Sequence, residues 1–196
     1  MIDILLKEIK EDKSDNLSTT SFKFKRDLWD FFQGYQDKVA VEFGTHKGQT
    51  TRILSHLFKK VYTVNINNND SARELNKDRN NIVYIDNFDL YSGQNLQIAD
   101  EVSMFLIDAG HSYYQVVSHI NRAFKLNCNE DCYIAFDDYG MSHYELEVKK
   151  AVNEALTSNA LHLIKGIGHD KGFDFGGTPP RVLTESEGLI TKINWQ

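Results

Sequence analysis

The stretch VAVEFGTHKGQTTRILSHLF, Val39 to Phe58, decides the fold. Its first five residues, VAVEF, form an apolar run of strand-forming type with one acid, Glu42, inside it. Gly44 and Gly48 follow. QTTRILSHLFKK then brings Ile53, Leu54, Leu57 and Phe58 to one helical face. Strand, glycine turn and helix in direct succession open a β-α-β unit.

The alternation continues downstream. VYTVNI, NIVYI, VSMFLID and CYIAF read as strands. SARELNKDR, YQVVSHINRAFKL and ELEVKKAVNEAL read as helices, with Val116, Ile120 and Phe124, and then Val148, Val152 and Leu156, spaced by four. LHLIKGI, followed by RVLTE or part of FDFGG, reads as the closing strands. VSMFLI is almost wholly apolar, as a strand covered on both faces must be. Such a pattern implies a parallel sheet with helices on both faces and right-handed crossovers. Ligands in such sheets bind beyond the carboxyl ends of the strands. Upstream, a short N-terminal helix, a polar stretch over 11–22 and a second helix in FKFKRDLWDFFQGY suggest a cap over residues 1–37, with the main domain over 38–196.

Composition narrows the function classes. The 196 residues are 41% hydrophobic and 26% charged, with a formal net charge of −6. An acidic chain with no Lys/Arg run argues against broad nucleic-acid or anionic-membrane binding. No window approaches the ~20 apolar residues of a membrane span, and MIDILLKEIKEDK lacks the apolar run of a signal peptide. Cys128 and Cys132 are too few for a structural zinc site. They read as reduced thiols, which fits a cytoplasmic protein.

The turn after the first strand is neither a dinucleotide fingerprint nor a P-loop. His46 and Gln49 stand where G-x-G-x-x-G needs glycine, and G-x-x-x-x-G-K-[ST] is absent. What remains, E-x-G-x-x-x-G, resembles motif I of the class I S-adenosylmethionine-dependent methyltransferases. VSMFLIDAGHSYYQV and CYIAFDDYG resemble the fourth- and fifth-strand motifs of one methyltransferase group, and GLI after Ser186-Glu187 resembles its last strand. The resemblance spans roughly residues 38–190. It implies a single Rossmann-like domain with a mostly parallel seven-stranded sheet and an antiparallel last strand.

The cofactor implied is S-adenosylmethionine (SAM). The resemblance places Glu42, Gly44, Thr45, Gly48, Asn65, Asn87, Phe88 and Asp108 around it. Glu42 would take hydrogen bonds around the methionine portion, directly or through water, and an acid suits a ligand carrying a sulfonium and an ammonium. Glu42 as a mere loop cap is the structural alternative. Asn65 departs from the family, which has an acid there to grip the ribose. A neutral hydrogen bond is worth about 1 kcal/mol against 1.5–3 for a charged one, so weaker cofactor binding is expected, with Asp70 a nearby compensating acid. Phe88 either packs on the adenine or belongs to the core.

Asp108, Asp137 and Asp138 end the fourth and fifth strands, expected neighbours about 4.8 Å apart. Three crowded carboxylates ask for a cation or for protons. The metal-dependent O-methyltransferases carry ligands at these positions, which implies Mg2+ or Ca2+ bound by Asp108, Asp137 and Asp138. Alternatively, Asp137 and Asp138 only cap a turn, since successive strand residues point to opposite faces. His111 is either a general base or a helix-start histidine bonded to Asp108, with Asp108 and His111 the catalytic pair. His143 and His169 are weaker candidates. Phe173, Phe175 and Gly176-Gly177 form either an aromatic loop or a hairpin. The expected substrate is a small hydroxyl acceptor such as a sugar. A methyltransferase-like binding or assembly module without chemistry is the competing reading, and the aromatic N-terminal helix offers a homodimer contact.

Overall fold

The computed structural model describes residues 1–9, 20–140, 145–169 and 186–195. Among these residues six helices and seven strands follow one another as α1 (Ile2–Glu8), α2 (Phe22–Phe31), β1 (Val39–Phe43), α3 (Gln49–Leu57), β2 (Lys60–Val64), α4 (Asp70–Leu75), β3 (Ile82–Ile85), β4 (Val102–Ile107), α5 (Tyr113–Lys125), β5 (Cys128–Phe136), α6 (Glu145–Thr157), β6 (Leu161–Ile167) and β7 (Gly188–Ile193). The strands form one sheet in the order β3-β2-β1-β4-β5-β7-β6. β1 to β5 are mutually parallel, and β7 runs antiparallel to both β5 and β6. The expected seven-stranded sheet with its antiparallel last strand is therefore present.

Side-chain alternation divides the core into two layers. Val41, Phe43, Phe105, Ile107, Ile134 and Phe136 face α5 and α6, meeting Val116, Ile120, Val148 and Val152. Ala40, Met104, Leu106, Ala135 and Ile190 face the other way, against Leu5 and Leu6 of α1, Phe24 and Leu28 of α2, and Ile53 and Leu54 of α3. Both faces of the central strands are thus covered, which is why VSMFLI has no polar alternation. Within the expected N-terminal cap, α1 and α2 contribute Leu5, Leu6, Phe24 and Leu28 to the second of these layers. Ser21 starts α2 by accepting a hydrogen bond from the Phe24 backbone N–H at 3.0 Å.

Several boundaries differ from those read in the sequence; α4, for one, ends at Leu75 rather than Arg79. β5 begins at Cys128 rather than Cys132, because a register shift between Val102 and Met104 lets extra β5 residues bulge out of the ladder. α3 stops at Leu57, since Phe58 is already extended and leads into β2. RVLTE, the FDFGG stretch and His143 lie outside the described residues. No helix among the described residues is long and apolar enough to cross a membrane.

Candidate functional site

The glycine turn sets the geometry at the carboxyl ends of β1, β2 and β4. Gly44 has φ +97°, and a Cβ added there would lie 1.8 Å from the Asp108 carbonyl oxygen. Only glycine allows β4 to end so close to this turn. Its N–H donates to the Val64 carbonyl at 2.9 Å, tying the turn to β2 as well. Gly48, with φ +78°, starts α3 against Ala72 of α4, where a Cβ would meet the Ala72 Cβ at 2.6 Å.

Beyond these strand ends lies a cavity of about 540 Å³. It is lined by Gly44, His46 and Lys47 from the turn, Asn65, Asn67 and Asn68 after β2, Phe88 to Tyr91 after β3, Asp108 to Gly110 after β4, and Gln115 and His119 of α5. Gly44, Asn65, Phe88 and Asp108, nominated from the sequence, therefore meet at one opening. Asn87 is exposed and is not among the lining residues; its φ of +52° turns the chain so that Phe88 faces inward, with the Phe88 N–H donating to the Asn65 carbonyl at 2.9 Å. Asp70, the expected compensating acid, is exposed at the start of α4 and is not among them either. Three amides and Ser71 make up that wall instead.

Glu42 is placed beneath the turn rather than in the cavity. It is 1% exposed and absent from the lining. Its Oε2 accepts from Thr51 Oγ1 of α3 and Thr63 Oγ1 of β2, each at 2.5 Å. Thr63 Oγ1 in turn lies 2.6 Å from Thr45 Oγ1 in the turn itself. The acid thus clamps the turn and the first turn of α3 through three threonines. Burial pushes its pKa up to about 7, against the hydrogen bonds from Thr51 and Thr63 and the charge of Lys25.

A second group of side chains adjoins the cavity at Asp108. Asp108, His111 and Asp138 each place one donor atom within 4.8 Å of the others. His111 Nε2 is 2.6 Å from Asp138 Oδ2. Asp138 reaches it from a left-handed backbone, φ +59°, which a non-glycine residue adopts only when its surroundings enforce it. Burial, and then the charge of Asp138, raise the pKa of Asp108 well above the carboxylate range, with His111 opposing. Asp137 is not in this group. Its N–H pairs with the Ile107 carbonyl at 3.1 Å just past the end of β5 at Phe136, one residue before the left-handed turn at Asp138. It is 8% exposed, its Oδ1 is buried without a hydrogen-bond partner, and burial and the charges of Asp138, Asp108 and Glu187 raise its pKa. His111 thus stands where a third carboxylate was expected.

Sequence reading missed the layer beneath. Lys25 of α2 is fully buried and donates to the Thr20 carbonyl. Its charge reaches Glu42, Asp108 and Glu187. Glu187, 1% exposed, accepts from the Ser21 N–H at 2.7 Å, from Ser21 Oγ and from the His169 N–H at 3.2 Å. The start of α2 is thereby pinned to the ends of β6 and β7, and His169 acts there through its backbone. The signal was present: Ser21, Lys25 and Leu28 recur at helical spacing, which puts a lysine on an apolar face.

The strand order, the antiparallel seventh strand and the cavity at the ends of β1, β2 and β4 define the class I methyltransferase fold. No family model and no curated protein sequence matches the chain. Solved structures do. SMU.1697c from Streptococcus mutans, in complex with S-adenosylhomocysteine (SAH), superposes with a TM-score of 0.62 at 15% identity, over 86% of this chain and 97% of that one. The N-methyltransferase NodS from Bradyrhizobium japonicum WM9, also with SAH, gives 0.62 at 13% identity over 99% and 98%. The ribosomal protein L11 methylase from Lactobacillus delbrueckii subsp. bulgaricus gives 0.61 at 14% identity over 90% and 81%. Of these three, only the L11 methylase is named for its acceptor, and the shared fold selects no acceptor.

Proposed function

We propose that this chain is a SAM-dependent methyltransferase acting on a hydroxyl of a small polyhydroxylated acceptor. One observation carries the reading: Gly44, Asn65, Phe88 and Asp108 converge on a single cavity at the carboxyl ends of adjacent parallel strands. Gly44 would meet the methionine portion, Asn65 the ribose and Phe88 the base. Asp108 would face the sulfonium, with the His111–Asp138 pair beside it.

In the transfer, the acceptor oxygen attacks the methyl carbon as the carbon–sulfur bond breaks, and the electron pair stays on sulfur to give neutral SAH. Asp138 accepts from Nε2–H of His111, which leaves Nδ1 as the basic nitrogen for the hydroxyl proton. Asp138 holds the ring in that tautomer and stabilises the imidazolium that forms. In-line displacement depends on alignment, so the rigid strand ends supply much of the rate.

A second reading is supported by the cluster of Asp108, His111 and Asp138. Two carboxylates and an imidazole within 4.8 Å of one another fit a divalent ion, and the imidazole favours Mn2+, Fe2+ or Zn2+ over the Mg2+ or Ca2+ expected of an all-oxygen set. A bound ion would supply positive charge that lowers the pKa of the acceptor hydroxyl.

Labelled SAM offered with a panel of sugars, catechols and other hydroxyl compounds, with and without each divalent ion, tests both readings. Methyl transfer that chelators leave intact supports the His111 base; transfer that needs the ion supports the second reading. SAH binding with no transfer to any acceptor would instead mark a binding module that has lost its chemistry.

A further inference from the structure

His119 is a buried polar side chain in the cavity wall that methyl transfer leaves unused. It lies on α5, four residues after Gln115, so both face the cavity along one helical stripe. Gln115 is already engaged, its Oε1 accepting from Ser112 Oγ at 2.8 Å within the capping box. His119 has no such partner. It is 2% exposed, and its Nδ1 is sealed from solvent without a hydrogen bond. Its ring stands edge-on to Phe43, with centroids 6.0 Å apart and planes at 60°. Burial, with the charges of Arg122 and His111, pushes its pKa down to about 4, so the imidazole is neutral.

A neutral imidazole carries one N–H. An orphaned donor in the interior is rarer than an under-satisfied acceptor, which places the proton on Nε2 and leaves Nδ1 as the sealed lone pair. His119 therefore offers a single donor to the cavity. Phe88 and Leu90 line the cavity with it, beside the polar Asp89 and Gln115, and Arg122 covers the Phe88 ring at 5.4 Å. A flat heteroaromatic ring with an in-plane acceptor nitrogen suits such a wall.

We infer that His119 reads the adenine of the cofactor by donating from Nε2 to one of its ring nitrogens, which makes it a specificity-determining residue. The inference rests on the reading of the cavity as a SAM site. It predicts discrimination by the base, which packing alone does not provide.

The test is calorimetric titration of the full chain with SAH and with its 1-deaza, 3-deaza and 7-deaza analogues, each lacking one ring acceptor. One analogue should bind the wild type roughly 5- to 10-fold more weakly than SAH, as expected for one neutral hydrogen bond. His119→Phe, which keeps the ring against Phe43, should bind SAH as weakly as that analogue and no longer tell the two apart. His119→Leu provides the same comparison if the larger ring does not pack. Equal binding of all four ligands by the wild type overturns the inference, as does discrimination retained in the variants. Failure of the wild type to bind SAH at all overturns the cavity reading, and the inference with it.

Discussion

His111 Nε2 lies 2.6 Å from Asp138 Oδ2, joining the loop after β4 to the left-handed turn after β5. Two segments 27 positions apart in sequence (138 − 111) are brought together because β4 and β5 are parallel neighbours. The contact orients the imidazole beside Asp108.

If that pair abstracts the acceptor proton, His111→Ala should lower kcat by about 10²–10⁴-fold. Asp138→Asn should lower it as well, while SAH affinity stays within about twofold in both variants. Steady-state kinetics alongside calorimetry checks this. A parallel loss of SAH binding would show that the pair shapes the cavity rather than the chemistry.

Glu42 predicts a pH dependence of stability. Its pKa rises from 4.5 in the free residue to about 7 in the fold. The folded state therefore holds a proton that the unfolded state has released, and stability falls as pH rises from about 4.5 through about 7. The full span corresponds to about 3 kcal/mol for this group. Glu42→Gln should flatten that fall and gain relative stability above neutrality, as read by urea unfolding across the range. Asp108, Asp137 and Glu187, also raised by burial, add slopes of the same sign.

Lys25 opposes those acids from below. Lys25→Met removes a buried cation and leaves Glu42 and Glu187 without its charge, which should cost about 3–5 kcal/mol near neutral pH. The loss should shrink toward acid pH as the carboxylates take up protons. A loss that did not vary with pH would assign Lys25 to packing alone.

How far the sequence reveals all this depends on range. A strand such as VSMFLI was legible because burial on two faces is written in consecutive residues. The turn at Gly44 and Gly48 was legible because positive φ selects glycine. β5 was read four residues short, because its first residues bulge and carry polar side chains. Glu42 was expected to serve the ligand, and its threonine partners come from two different elements, α3 and β2. The exchange of Asp137 for His111 in the carboxylate group depends on where the strand twist delivers each side chain, which spacing alone does not fix. Lys25 and Glu187 lie 162 positions apart (187 − 25), and only the closed sheet brings them near each other.

Asn65 should limit cofactor affinity. Asn65→Asp restores a charged acceptor on the ribose side and should tighten SAH binding about 5- to 10-fold. Unchanged affinity would place the ribose elsewhere along the amide wall.

The proposed function stands or falls with ligand occupancy of the cavity over the glycine turn. Titration of SAH into the chain, with Ser71→Trp as a variant that fills the cavity rim, measures this directly. Saturable binding of one SAH per chain, strongly weakened in the variant, is the expected result. No heat and no thermal stabilisation at high SAH, or binding that Ser71→Trp leaves untouched, would contradict it.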